Sequence, residues 1–461
     1  MENNLTLRPF LHPINHIKPV IMSLNEQPAL KKAITAVQLW GIAVGLVISG
    51  EYFGWNYGWG VAGTLGLLVA TLIVTVLCIT FIFSFTELTS AIPHAGGPFA
   101  FAYKAMGPIG GLIAGYASVV EFVLATPAIA VALGNYLHFL NPTIDVLWAA
   151  TACYFVFTFI NMLGIKESAL FSLVVTSLAV AELLVFLGII APSFEMSNFT
   201  QNNTAFGWSG VFQALPFAIW FYSGIEGVAM VAEEVKEPKK SIPKAYILGI
   251  LTLTLLALSV MILTGGITDW RNLSAIDYPL PEAIGIILGK DNGLTKLFTG
   301  IGLFGLIASF HGNILGYSRQ IFALARSGFL PKFLSQLHPR FLTPHWSLVT
   351  GAFIGMIAVY SGTTDKLITL SALGVVSMYT VSMVSLFVLR KKEPNLQRPF
   401  ITPFYPVFPA IALALSLLCL FTIMWFNGFI SLIFFGLLGV ILLVFIGLGK
   451  HKTMVGDDFE V

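Results

Sequence analysis

The sequence predicts an all-α polytopic membrane protein of about twelve transmembrane helices, arranged as an inverted five-plus-five repeat in which helices 1 and 6 are broken. Three observations carry that prediction. The 461-residue chain is 57% hydrophobic and only 10% charged, with a mean hydropathy of +0.87, far from the average usage of soluble domains. Apolar runs of about 20 residues, long enough to cross a hydrocarbon core, recur from end to end. The first and sixth of these runs are interrupted at mid-depth by the same kinds of residue.

Taken in order, the runs lie near 36–59, 63–86, 109–138, 144–163, 169–191, 211–232, 244–267, 295–324, 346–361, 367–389, 404–426 and 429–449. With the amino terminus placed in the cytoplasm, the connections on that side hold Lys104, Lys166, the cluster Lys236, Lys239, Lys240 and Lys244, then Arg319, Arg326, Lys332 and Arg340, and finally Arg390, Lys391, Lys392 and Arg398. The other side receives Arg271, Lys290, Lys296 and Lys366. With both tails counted inside, 20 of the 24 Lys and Arg residues are cytoplasmic, so the positive-inside rule places both termini there. The expected organisation is a tail over 1–32, a single transmembrane domain over 33–450 and a tail over 451–461. Residues 1–32 lack the apolar core and cleavage site of a signal peptide. The long outer connection, about 268–294, is expected to hold a short surface helix. Trp59, Trp148, Trp208, Trp270, Trp346 and Trp425 fall near span ends, where an indole anchors at headgroup level.

Composition also excludes functions. A net charge of +2 without a basic stripe offers nothing to nucleic acid. Cys78, Cys153 and Cys419 sit in apolar runs without metal-like spacing, and read as small hydrophobes. No HExxH, paired-Asp metal site or Ser/His arrangement suggests an enzyme. No cofactor or metal is called for. A channel or receptor suits two broken helices in repeat positions less well than an occluded site does.

The breaks carry the chemistry. "GLVISGEYFGWNYG" in span one places Ser49, Gly50 and Glu51 within the apolar run, and "WFYSGIEGVAMVAEEV" in span six echoes them with Ser223, Gly224 and Glu226. Glycine weakens a helix where it can line a cavity. The freed backbone groups and half-helix ends can grip a small polar solute and its coupling ion. Close helix packing is the plain alternative for one such glycine, but two matching breaks, each with an acid, favour the site.

Glu51, Glu121, Glu182 and Glu226 all lie inside apolar runs, where a carboxylate costs on the order of 3 kcal/mol on the most lenient scale. Each must be protonated, paired or lining a polar cavity. Glu51 beside the first break is the strongest candidate, and a cationic solute would supply its missing partner. Glu226 has similar standing and serves structure equally well. Glu121, one turn before Pro127, is balanced between site and structural hydrogen bond. Glu182, with no polar neighbours in "SLAVAELLVFL", reads as structural. His311 in span eight, with Ser309 and Asn313 close by, is a packing histidine or a proton relay. The aromatics Tyr52, Phe53, Trp220, Phe221 and Tyr222 flank the breaks and offer cation–π contact and a gate against water.

"SFTELTSAIPHAGGPFAFAYKAMGP" (84–108) after span two and "EEVKEPKKSIPKAY" (233–246) after span six resemble the cytoplasmic signatures of the amino acid/polyamine/organocation permease superfamily. "ISGEYFGWNYG", "EFVLATPAIAVALGNY" and "GLIASFHGNILGYSRQIFALARSGFLP" are similar to its ethanolamine permease branch. The resemblance implies the leucine-transporter-like fold, a site between spans one, three, six and eight, and alternating access in a cytoplasmic membrane. Members that carry amino acids hold the substrate carboxylate on a small Gly/Ser run at the first break. Here Glu51 follows Ser49 and Gly50, which would attract an ammonium and repel a carboxylate. The expected cargo is a small organic amine, ethanolamine first and an amino acid second. The coupling ion is left open between H+, Na+ and none: Ser309 is thin support for sodium, and span five has no proton-binding Lys.

Overall fold

The computed structural model describes residues 32–200 and 207–449, without the side chains of 165–168; the two expected tails, apart from Lys32, lie outside the described residues. Within them the chain is helical throughout, and its nearest approach to a sheet is one isolated bridge between Ile34 and Val235.

Span one is a helix, α1 (Ala36–Val47), followed by a short helix, α2 (Ser49–Tyr52). Thr35 and Gln38 begin α1 by satisfying each other's backbone N–H groups, a capping box. Phe53–Asn56 form a turn: Phe53 is extended, Gly54 has φ +94°, and the Gly54 N–H donates to Asn56 Oδ1 at 2.9 Å. Positive φ is cheap only without a Cβ. Span one therefore ends at Tyr52, short of the expected 59. The chain continues as α3 (Tyr57–Ala91), α4 (Pro98–Leu140), α5 (Val146–Met162) and α6 (Ile165–Ile190). In α4 the axis breaks at Gly107, φ +77°, before Pro108, which cannot continue a helical hydrogen-bond ladder.

A small helix, α7 (Met196–Thr200), precedes span six, which consists of α8 (Gly207–Gln213), α9 (Leu215–Trp220) and a 3-10 run over Ile225–Glu234. Then follow α10 (Pro238–Gly265), the short helix α11 (Pro279–Leu288) within the 268–294 connection, α12 (Gly293–Arg326), α13 (His345–Ser361), α14 (Thr364–Lys392), α15 (Val407–Phe426) and α16 (Gly428–Gly447). Each expected span is matched by one of these, and the expected surface helix is α11. The breaks in spans one and six stand five spans apart, as an inverted repeat places them. Helix α4 packs along α12 and α14, and α1 lies between α6, α10 and α12.

The indoles divide. Trp148, Trp208 and Trp425 are 74%, 68% and 73% exposed, as anchors should be, and Trp346 is also exposed. Trp59 and Trp270 are buried, correcting the anchor reading: with α3 starting at Tyr57, Trp59 turns inward onto Trp55, ring centroids 4.7 Å apart.

The two signature stretches tie the helix ends together at one end of the bundle. Glu87 of the first receives Arg390 at 2.7 Å, Arg398 at 3.1 Å and the Thr402 N–H at 2.8 Å. Glu234 of the second makes a fully buried ion pair with Arg319 at 2.9 Å, and its carbonyl accepts the N–H groups of Ala33 and Ile34. Glu233 binds Arg326 at 2.9 Å and the Ala95 N–H at 2.8 Å. These contacts join the start of α1, the end of span six, the end of α12 and the α3–α4 connection.

His94 sits in this network. Arg326 Nη2 lies 3.0 Å from its Nε2 and the Gly96 N–H donates to its Nδ1 at 2.9 Å. Burial, aided by the Arg326 guanidinium and opposed by Glu233, pushes its pKa from 6.5 down to about 4. An unfolded chain takes up a proton below pH 6.5 that the folded chain refuses until about pH 4, so this stability is present above pH 6.5 and lost as pH falls through that window. H94Q is expected to flatten the dependence of Tm on pH across it, read by thermal unfolding of purified protein. At the ion pair, R319A leaves Glu234 buried and uncompensated, a loss of about 3–5 kcal/mol. The double variant R319M/E234Q should recover most of the lost Tm, and equal Tm values for the single and double variants would contradict this.

Candidate functional site

The first break is a repaired rung. In an unbroken helix the Ser49 N–H would donate to the Gly45 carbonyl. Instead it donates to Ser309 Oγ of α12 at 2.8 Å, and that hydroxyl donates to Gly45 O at 2.7 Å. One turn along α12, Asn313 Nδ2 donates to Leu46 O at 3.0 Å. Ser49–Tyr52 therefore keep a helical turn in place of the unwound strand expected at Ser49–Gly50. Where no water is available, a side chain inserted from a neighbour satisfies the backbone at the interruption.

The second break is sharper. Helix α9 ends at Trp220, and Gly224, φ +103°, leads the chain into the 3-10 run. Its N–H donates to Glu226 Oε1 at 3.1 Å, while Tyr379 of α14 donates to Oε2 at 3.1 Å. The two breaks touch: a Cβ on Gly50 would lie 2.4 Å from the Trp220 carbonyl oxygen, and one on Gly224 would lie 3.3 Å from Leu46 O.

The four acids separate by environment. Glu51 is fully buried, and neither carboxyl oxygen has a hydrogen-bond partner among the described residues. It lies within electrostatic reach of Tyr52 and Tyr222, and the Tyr222 hydroxyl shares a 2.6 Å hydrogen bond with Thr75. Glu121 is likewise fully buried with neither carboxyl oxygen hydrogen-bonded among the described residues, and it lies within electrostatic reach of Glu226. Glu182 does have polar company: Tyr52 donates its hydroxyl to Glu182 Oε2 and lies 3.1 Å from the Ala179 carbonyl. The sequence could not show this pairing, because the tyrosine belongs to span one.

A small cavity lies between the breaks. Its wall takes Leu46, Val47 and Ser49 from span one, Trp220 and Ser223 from span six, Ala125 and Ile129 from α4, and Asn313 from α12. It is about 10 Å³, room for about one water. Of the expected site residues, Ser49, Trp220 and Ser223 reach this wall. Gly50 and Gly224 stand at the backbone crossing behind it, and Ser309 holds the rung. His311 faces elsewhere: Asn161 Nδ2 lies 2.9 Å from its Nδ1, and its ring packs edge-on to Phe171 of α6.

Aromatic rings close the cavity on the side of the 268–294 connection. Phe53 meets Trp220 edge to face at 5.7 Å, and Trp55 stacks on Phe221 at 5.6 Å. Beyond them, the 268–294 connection is latched down. Asn56 Nδ2 donates to Leu273 O and Ile276 O, and Asp277 accepts from Tyr57 at 2.8 Å, Thr364 at 3.2 Å and Asn135 at 3.3 Å. Burial holds the Asp277 carboxyl above its usual range, while the Tyr57 and Thr364 hydroxyls oppose that shift. With the Glu233 and Glu234 contacts at the other end, the cavity is shut from both sides.

Sequence reasoning missed Asn313 as a wall residue, Trp55 as the ring stacked on Phe221 and Tyr379 as a partner of Glu226. The first had a signal: Ser309 and Asn313 are four apart, hence on one helix face. S309A is expected to leave the Gly45 and Ser49 backbone groups unpaired at a cost of about 1–3 kcal/mol. Unchanged Tm in purified S309A would show that α1 closes its own rung.

The amino acid permease family model matches residues 34–446. An uncharacterised transporter of Rhizobium meliloti is 29% identical over 404 residues, covering 83% of this chain and 84% of its own. A branched-chain amino acid permease of Bacillus subtilis is 27% identical over 431 residues, 88% of this chain and 91% of its own. A methylthioribose transporter of the same organism is 25% identical over 423 residues, 85% and 88%.

Proposed function

The chain belongs to the amino acid permease family, and on that premise we propose that it is a secondary transporter importing a small organic amine, ethanolamine first, by alternating access. The observation that carries the reading is Glu51: a fully buried carboxyl with both oxygens unpartnered among the described residues, two positions from the cavity-lining Ser49. An acid in that state calls for a cation or a proton. Ammonium cargo supplies the cation once the contracted cavity widens, with the Ser49 and Ser223 hydroxyls and the Asn313 amide facing its polar end.

A second observation favours an amine over an amino acid. A cargo carboxylate needs free N–H donors, yet the Ser49 N–H is taken by Ser309 and the Gly224 N–H by Glu226. The amino acid reading remains the second one, supported by the branched-chain amino acid permease that matches along nearly its full length.

The two closures support alternating access. Cargo reaches the cavity from outside when the Asp277 latch and the Phe53–Trp220 contact part. It leaves when the Glu233 and Glu234 contacts to Arg326 and Arg319 release the ends of spans one and six. For coupling, the Gly45 and Leu46 carbonyls that could ligate sodium already accept hydrogen bonds from Ser309 and Asn313, which favours a proton or no ion.

Uptake of labelled ethanolamine into proteoliposomes, under imposed pH or sodium gradients and with amino acids as competitors, tests the reading. E51Q is expected to lower uptake about a hundredfold, the loss of one buried charge partner. Strong competition by zwitterionic amino acids, or full transport by E51Q, would overturn it.

A further inference from the structure

A groove of about 570 Å³ opens on the membrane-facing side, at the same end of the bundle as the Asp277 latch. Its body is apolar, formed by Leu124 of α4, Leu367 and Leu370 of α14, and Phe429 and Ile433 of α16; its rim carries Ser361, Asn427 and the Lys366 ammonium. Phe429 and Ile433 are exposed, so the groove is open towards acyl chains.

Lys366 is distinct among the four basic residues assigned to this side. Arg271 pairs with Asp269 at 2.8 Å, Lys290 with Glu282 at 2.7 Å and Lys296 with Asp291 at 3.1 Å. Lys366 makes no ion pair among the described residues, and its neighbour Asp365 lies within electrostatic reach of Tyr57 and Asp277 instead. No carboxylate lines the groove. Helix α16 also begins here, at Gly428, without a side-chain cap or an acid in its first turn, adding partial positive charge at the rim.

We propose that this groove binds an anionic phospholipid, with an acyl chain along the Leu367–Ile433 body and the headgroup phosphate on Lys366. An apolar channel ending in one unpaired cation at headgroup level complements that chemistry. A second copy of the chain is a poorer fit: a two-fold contact would set Lys366 against a rim lacking carboxylates.

The test uses purified full-length protein in detergent, offered phosphatidylglycerol or phosphatidylcholine, with retained lipid counted by native mass spectrometry. The wild type is expected to retain phosphatidylglycerol roughly five-fold better, the factor one surface Lys supplies against anionic lipid. K366Q should erase the preference, K366R should keep it, and I433W, which fills the groove, should lower retention of both lipids. Equal retention by the wild type, or an unchanged preference in K366Q, overturns the proposal. So does inorganic phosphate abolishing the preference at millimolar concentration without displacing lipid, which would assign Lys366 to free anion. A lipid-independent dimer by light scattering that I433W converts to monomer would give the groove to a second copy and overturn it too.

Discussion

A backbone polar group inside a bilayer has no water to turn to, and the centre of this protein is organised around that constraint. Span one is interrupted beside the cavity, and the interruption is tolerable because Ser309 stands between the Gly45 carbonyl and the Ser49 N–H. That hydroxyl both accepts and donates, as few side chains can. Asn313 extends the same repair to Leu46. The eighth span is therefore part of the first span's hydrogen-bond ladder, and movement of either must break or carry those bonds.

The second break is satisfied differently. The Gly224 N–H turns to the carboxyl of Glu226 in its own segment, and Glu226 is held in turn by Tyr379. Contact between the breaks then depends on small residues. Gly50 lets the Trp220 carbonyl approach to a distance no Cβ would allow, and Gly305 makes room for the ring of Tyr52. The expectation that glycines mark either a site or close packing resolves at Gly50 into packing that builds the site's back wall.

Buried acids show the same division of labour. Glu182, Glu226 and Glu234 have found donors: a tyrosine, a tyrosine with a backbone N–H, and an arginine. Glu51 and Glu121 have found none among the described residues. In a dry interior an unpaired carboxyl is costly, and this contrast sets Glu51 and Glu121 apart from the other buried acids, with Glu51 the one that stands on the broken span beside Ser49.

The sequence by itself determined the class, the span count and the position of both breaks, because apolar length and helix-weakening residues are local properties. The signature stretches were legible as well, and their acids are the ones that clamp the helix ends. The partners were decided by tertiary structure alone. Ser49 meets a hydroxyl 260 residues away, Tyr52 an acid 130 residues away, and His311 turns to Asn161, away from the cavity. Periodicity places a residue on a helix face, but which donor completes which rung depends on how distant helices pack, and only the fold brings them together.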